Sequence, residues 1–369
     1  MSEDSSKSLA GSKLSYSAIN TYKQCGRKYK LHYVDRIRPV KRSSALCFGT
    51  AIDKAVEAKL NNKDINAKDI FDTWWQKQTI NKEVIELCGS ILLDYYISDF
   101  DFDLLIDDDI KFLKAKAEEL IPKIYKEYGD WLLAYNECLK HKKQRAFRTW
   151  PENENKFYNL CNWLSLRRKG HLMVEALERE VLPKIKQVIY TQHKTQLKNT
   201  EGDVLDGFAD AVVEWEDGRT IILDFKTSSV KYEANAVSVS EQLTIYSLST
   251  GIKLAGYIVF MKKIDKDLDK MCGDCGTAFK TTRQRKCEVC NKESGVYKVK
   301  KLRALVDIII DTIPTKTEDV VLDTIHETNQ SIKDEVFDPN FHSCKSFLGP
   351  CPYFDLCHKN SMKGLIKLG

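Results

Sequence analysis

Asp206-Gly207-Phe208-Ala209-Asp210 is followed in the chain by Leu223-Asp224-Phe225-Lys226-Thr227-Ser228. Both stretches read as strands, and Glu216-Asp217-Gly218 between them reads as a hairpin turn. Antiparallel pairing can bring acids on two such strands side by side at one sheet edge. Hard carboxylate oxygens suit Mg²⁺ or Mn²⁺. Lys226 lies two residues beyond Asp224, so strand alternation points it to the same face. An ammonium beside two carboxylates and a divalent cation can hold a water nucleophile or stabilise a charged phosphate, which is what phosphodiester hydrolysis requires. A hairpin with surface ion pairs is the alternative. The apolar run Ile221-Ile222-Leu223 immediately before Asp224 favours a site, because buried strands seldom end in charges without a use.

Eight of the twelve cysteines are candidates for metal sites, seven of them in two spaced sets and the eighth far upstream. Cys272-Gly273-Asp274-Cys275 and Cys287-Glu288-Val289-Cys290 are paired knuckles with a short spacer, the signature of a structural zinc ribbon. A redox dithiol would not explain two copies. Lys280, Arg283, Arg285 and Lys286 lie between the knuckles; contact with a DNA backbone and simple bracing both remain open for them. Cys344, Cys351 and Cys357 stand close together, with Pro350 and Pro352 around the middle one. Three thiolates do not complete a tetrathiolate site, so a fourth must come from elsewhere. Cys47, Cys88, Cys138 and Cys161 stand alone and read as ordinary residues.

The elements that must position these groups change character near residue 187. Ser15 or Ser17 is placed to cap a helix carrying Tyr22, Tyr29, Leu31 and Tyr33. Residues 49–60 read as a second helix opened by Gly49, with Ala51, Ala55 and Ala58 on one side. Residues 61–182 are helical in pattern and rich in aromatics, namely Trp74, Trp75, Tyr95, Tyr96, Trp131, Tyr135 and Trp150. Most of these belong to a core, and a minority are candidates for stacking on unpaired bases. Strands are expected over 188–197, 207–215, 219–225 and 256–262, with a short helix over 240–250. The polar segment 263–295 reads as an inserted module, followed by strand at 296–301 and helix at 316–335.

The chain has 369 residues, 43% apolar, with a net charge of +5. This composition is globular, and the mild charge permits a nucleic-acid partner without requiring one. Runs such as 140–148, with Lys142, Lys143 and Arg145, would suit a phosphate-lined groove, although single runs are usually solvated faces. The Ser-rich start, residues 1–13, lacks an apolar core and reads as a tail rather than a signal peptide. A soluble, cytoplasmic setting is expected, and with it free thiols rather than disulfides. No Walker-type phosphate loop is present, so a helicase activity would have to come from a partner.

The Asp206–Ser228 region resembles the PD-(D/E)XK nucleases, in particular their RecB-like branch, which includes AddB-type and CRISPR-adaptation nucleases. The resemblance implies that Asp210 and Asp224 bind the divalent metal, that the backbone carbonyl of Phe225 adds a ligand, and that Lys226 is the catalytic lysine. The family's Gln-x-x-x-Tyr motif corresponds to Gln242-Leu243-Thr244-Ile245-Tyr246, whose four-residue step puts Gln242 and Tyr246 on one helix face. The family usually carries a metal-binding His on an early helix; Asp53 stands there, an oxygen ligand equally suited to Mg²⁺. Glu57, one turn later, could support it. Iron–sulfur members of this branch draw one cysteine from before the core and three from after it. By resemblance Cys25 joins Cys344, Cys351 and Cys357 around a [4Fe–4S] cluster, with zinc in the same thiolates or unligated cysteines as the alternatives. Gly26 stands where those members often have Pro.

The expected fold is α/β: a restriction-endonuclease-like mixed sheet flanked by helices, with a helical insertion over 61–182 and a zinc ribbon over 263–295. Residues 14–60, 183–262 and 296–369 would form the nuclease part. The expected function is metal-dependent DNA hydrolysis, by resemblance from single-stranded ends, in recombination, repair or replication, with a helicase or recombination protein as a possible partner. A non-catalytic DNA-binding subunit and a CRISPR-adaptation nuclease are the alternatives.

Overall fold

The computed structural model describes residues 14–40, 42–79, 93–94, 101–144, 152–281, 283–293, 295–346 and 349–368. Its centre is a five-stranded mixed sheet of β1 (Ile185–Lys198), β2 (Val204–Trp215), β3 (Thr220–Ser228), β4 (Leu254–Cys272) and β5 (Gly295–Thr312), in that spatial order. β1, β2 and β3 form an antiparallel meander, β3 and β4 are parallel, and β4 and β5 are antiparallel. A tight turn joins β2 to β3, where Gly218 takes φ +85°, a conformation that costs glycine little. The parallel step needs a crossover, and the helix Glu241–Thr250 supplies it.

Helices cover both faces. The first face carries α1 (Tyr16–Gln24), then α2 (Ser44–Asn61), α3 (Ala67–Thr79), α4 (Asp107–Leu120), α5 (Pro122–Tyr128), α6 (Trp131–Gln144) and α7 (Glu152–Ala176) come in chain order, followed by α8 (Glu241–Thr250) and α9 (Thr315–Lys333). α1, α8 and α9 share one core with Leu205, Val212, Ile222 and Val259. α2 to α7 share the other with Ala211, Val213, Ile221, Leu223, Phe225 and Phe260. Strand alternation accounts for the split: Ile221, Leu223 and Phe225 point to the larger helical layer, while Ile222 and hence Asp224 face α8. Ser15 caps α1 by accepting from the Ala18 amide at 3.2 Å, and Ser240 caps α8 by accepting from Leu243 at 3.1 Å. The second aromatic layer is packed, not open: Trp75, Trp131 and Tyr135 are buried, and burial of each such ring contributes roughly 1.5–3 kcal/mol. Trp74 is half-buried beneath Lys77, whose Nζ lies 4.6 Å from the ring centroid. Tyr95, Tyr96, Trp150, Arg145 and Cys88 lie outside the described residues, as do the side chains of Lys142 and Lys143.

Two elements differ from expectation. α2 starts at Ser44, so Gly49 is inside the helix and does not open it. A Cβ at Gly49 would meet nothing nearer than Thr227 Oγ1 at 4.0 Å, an ordinary contact, so the packing there does not require glycine. β4, expected to end at Lys262, runs on to Cys272 and pairs with β5 almost throughout. The segment shows no apolar alternation because only Ile264 and its partner Ala304 are buried in the core, and most of the residues beyond them are partly or fully exposed. Cross-strand charges hold it instead, with Asp265 to Arg303 at 3.1 Å and Asp269 to Lys300 at 3.5 Å. No helix among the described residues is long and apolar enough to cross a membrane.

Candidate active site and metal centres

The β2–β3 pairing runs as far as Ala211 with Leu223, and Asp210 and Asp224 are the next residues of the two strands. The Phe225 amide donates to Asp210 Oδ2 at 2.9 Å, fixing that carboxyl against the end of β3. Asp224 is buried to 1% exposure, with Lys226 Nζ 2.6 Å from its Oδ2. Gln242 on α8 donates to Asp224 Oδ1 at 2.8 Å and to Tyr246 Oη at 2.9 Å. Its own carbonyl accepts from Lys226 at 3.2 Å. The one-turn spacing of Gln242 and Tyr246 thus delivers a continuous polar line, Tyr246–Gln242–Asp224–Lys226, under the sheet edge. Asp53 reaches the same place from α2, sharing a cleft with Val56, Glu57, Leu60, Gln192, Asp210 and Phe225. All the acids, the lysine and the Gln/Tyr pair singled out in the sequence therefore converge.

Nothing in the residue pattern pointed to Gln192. It lies across β1 from Asp210, between the pairs Thr191–Ala211 and His193–Ala209, and donates to Asp210 Oδ1 at 3.3 Å. Its φ is +46°, a left-handed conformation that a non-glycine residue adopts only where its surroundings impose it. Glutamine on a strand carries no signal, and the backbone irregularity that aims it cannot be read from residue types.

Electrostatically the site is a set of buried carboxyls with too little positive charge. Burial, then the neighbouring Asp224 and Asp53, push Asp210 up to about 8. Burial and Asp224 push Asp53 up to about 7. Burial also raises Asp224, against the pull of Lys226. For Lys226, burial opposes the charged form, but the Asp224 carboxylate prevails and holds its pKa above the usual lysine range. Burial and mutual repulsion keep such groups protonated, and a divalent cation is the chemical partner that relieves both. The donor set is hard oxygen throughout, which fits Mg²⁺ or Mn²⁺.

The knuckle cysteines form a second centre at the tip of the β4–β5 hairpin. Cys272, Cys275, Cys287 and Cys290 bring their thiols within 4.8 Å of one another. Cys272 Sγ lies 3.4 Å from Cys290 Sγ, and Cys275 Sγ 3.5 Å from Cys287 Sγ. Tetrahedral Zn–S bonds place sulfurs about 3.8 Å apart, so the four thiols fit one metal ion. The two turns repeat each other: Gly276 and Asn291, each directly after its second cysteine, take φ +71° and +60°. Each donates its amide to the carbonyl of the first cysteine, at 2.9 Å and 3.0 Å.

Cys25, Cys344, Cys351 and Cys357 gather where the two ends of the chain meet. The Asn340 amide donates to Cys25 Sγ at 3.3 Å, and the Cys351 amide to the Cys344 carbonyl at 2.9 Å. Burial raises the thiols of Cys351 and Cys357, and both feel Cys25 and Cys344. Four thiolates brought together from the two ends of the chain could serve one tetrahedral ion or a group whose several metals each take one thiolate. Gly26, where the resemblance has proline, is explained by crowding: any Cβ there would meet the Phe337 carbonyl carbon and Asp338 amide at 2.9 Å. Cys47, Cys138 and Cys161 are buried in the helical layer.

A model of the PD-(D/E)XK nuclease superfamily matches residues 13–358. The chain belongs to this superfamily. The match spans the sheet, both helical layers and the cysteines at each end. No curated protein matches the chain. Among solved structures, that of SSO0001 is 14% identical over 75% of this chain and 90% of its own, with a TM-score of 0.28, a likeness too slight to add to the family match. As a PD-(D/E)XK protein, the chain has the mixed sheet flanked by helices that its residue pattern implied.

Proposed function

We propose that this protein is a Mg²⁺- or Mn²⁺-dependent deoxyribonuclease that degrades DNA from single-stranded ends in recombination, repair or replication. The observation that carries the reading is the line Tyr246–Gln242–Asp224–Lys226 meeting Asp210 and Asp53 at one sheet edge. Asp53, Asp210 and Asp224, with the carbonyl of Phe225, would hold the cation. When bound, the cation supplies Lewis acidity and a water of lowered pKa. Lys226, kept charged, presents its ammonium to the scissile phosphate or the attacking water. Gln242 holds Lys226 and Asp224 in place from α8, and Tyr246 holds Gln242. The knuckle quartet would bind zinc, and Cys25, Cys344, Cys351 and Cys357 a [4Fe–4S] cluster that ties the chain ends together.

The test is digestion of end-labelled single-stranded DNA, with circular single-stranded DNA beside it, in Mg²⁺, Mn²⁺ or chelator. Metal-dependent loss of the linear substrate alone is expected. Equal cleavage of the circle would replace an exonuclease by an endonuclease. No cleavage of either by wild-type protein, with DNA binding intact, would favour a non-catalytic DNA-binding role.

A further inference from the structure

β3 ends at Ser228, beside Met261 of β4, at the same sheet edge that carries Asp224 and Lys226. β4 does not end there. Eleven more residues, 262–272, continue past that edge, paired to β5, and at about 3.3 Å each they reach about 36 Å. This is close to one helical turn of a DNA duplex. The outer part of the hairpin has no core behind it: Val296, Tyr297, Lys298, Lys300, Lys301 and Arg303 are all exposed. An isolated two-stranded hairpin is marginal in water, so the thiol quartet at its tip serves as a clamp.

Residues 262–305 hold 13 Lys and Arg against 6 Asp and Glu, a net of +7. The whole chain is only +5, so the remaining 325 residues together are −2. Even four thiolates around one Zn²⁺ would leave the arm at +5. Several of its cations are spent on neighbours: Arg303 on Asp265, Lys300 on Asp269, Lys280 on Glu288 and Lys292 on Asp274. Lys263, Arg283, Arg285, Lys286, Lys298 and Lys301 are exposed and make no ion pair with the described residues. An arm that carries all of the net positive charge, projects from the active-site edge, and leaves six cations unspent is built for a polyanion.

We infer that the β4–β5 arm grips the phosphate backbone of the nucleic acid whose end lies at Asp210, Asp224 and Lys226. Arg283, Arg285 and Lys286 would form the distal contact, and Lys298 and Lys301 the proximal one. This rests on the nuclease reading for the identity of the polyanion.

The experiment uses the full chain and a fluorescein-labelled 30-nucleotide single strand, in Ca²⁺ so that binding is read without Mg²⁺-supported cleavage. Affinity is measured across salt concentrations for wild type and for Arg283→Gln/Arg285→Gln/Lys286→Gln/Lys298→Gln. Each phosphate contact contributes about 0.7 to the slope of log affinity against log salt on single strands, so the variant should lose about 3 from that slope. At low salt its affinity should fall tenfold or more. Hydrolysis of bis(p-nitrophenyl) phosphate, too small to reach the arm, should stay within about twofold. A charge-matched variant of the helical layer, Lys63→Gln/Lys114→Gln/Lys123→Gln/Lys126→Gln, should leave the slope unchanged. If that second variant flattens the slope and the arm variant does not, the inference is overturned. Lys298→Gln/Lys301→Gln, remote from the knuckles, guards against loss of the tip fold and should remove about 1.4 from the slope; a wild-type slope in this variant also overturns it. A wild-type protein that cleaves nothing but binds DNA through the arm would sink the nuclease reading and leave the arm standing. Active cleavage with an arm-independent slope would do the reverse.

Discussion

Lys226 and Asp53 have opposite roles in the same few ångströms. Lys226 is the compensated charge, 2.6 Å from Asp224. Lys226→Ala should leave Asp224 buried and unpaired, and lower cleavage by about 10²–10³-fold, the usual cost of losing one fixed charge-stabilising group. Single-turnover kinetics at saturating DNA would show it; an unchanged rate constant would remove Lys226 from the reaction. Asp53 is an uncompensated acid, held up at about 7 by burial and by Asp224. A buried carboxyl with a raised pKa costs stability once pH exceeds its unfolded value and forces it to ionise. Asp53→Asn should therefore stabilise the metal-free protein at pH 8 by roughly 1–2 kcal/mol, raising Tm by a few degrees, while abolishing Mg²⁺-dependent cleavage. A lower Tm in the variant would show that Asp53 holds the fold and is not a functional burden on it. Asp72 in the helical layer runs the other way. Burial opposes its charge, but hydrogen bonds from Arg167 and His171 prevail and hold it down at about 2. Its contribution is present above the unfolded carboxyl pKa near 4 and is lost as pH falls from there through 2. Solvent screening limits it to about 1–2 kcal/mol. Wild type and Asp72→Asn should differ in urea midpoint at pH 6, differ by about half as much at pH 3, and converge only below about pH 2.

At the scale of elements, the hairpin β2–β3 and the helix α8 were legible because each carries its signal locally: an apolar run ending in charge, a turn glycine, a serine cap and a one-turn Gln/Tyr step. β4 beyond Lys262 was not legible, since Lys266, Asp267 and Lys270 give no period where most residues are partly or fully exposed. Cross-strand ion pairs take the place of the apolar stripe, and pairing partners some 40 residues away cannot be read from composition. The packing of α3 on α7 was also hidden. Gly170 in α7 sits directly against the Phe71 ring, where any Cβ would collide with it. Helices usually pass 8–10 Å apart, and a missing side chain is what brings an aromatic this close. Gly170→Ala gains helix propensity, but the overlap should win and destabilise the protein by about 1–3 kcal/mol. Phe71→Leu in the same chain should recover part of the loss. A double-mutant cycle in urea would measure this coupling, and additivity would place the strain elsewhere.

For the whole molecule, the feature with the widest reach is that its first and last segments are built into one another. Tyr22 Oη donates to the Val336 carbonyl at 2.6 Å, Ile37–Pro39 pairs with Leu365–Lys367, and Tyr353 Oη donates to the Ile37 carbonyl at 2.9 Å. Leu31 and Ile37 are buried in one cluster with Tyr353, packed by Leu356 and Leu365. Protein synthesis is directional, and at about 5–20 residues per second these partners emerge roughly 15–65 s apart. During that interval Leu31 and Ile37 have been made but lack their C-terminal cover. Contacts over such separations are also slow to close once both partners exist. The nascent chain is therefore exposed, for most of its synthesis, to whatever binds loose apolar segments. Ribosome-stalled chains ending at residue 340 should be cut by added protease within 26–39, while those ending at residue 369 and released should be protected there.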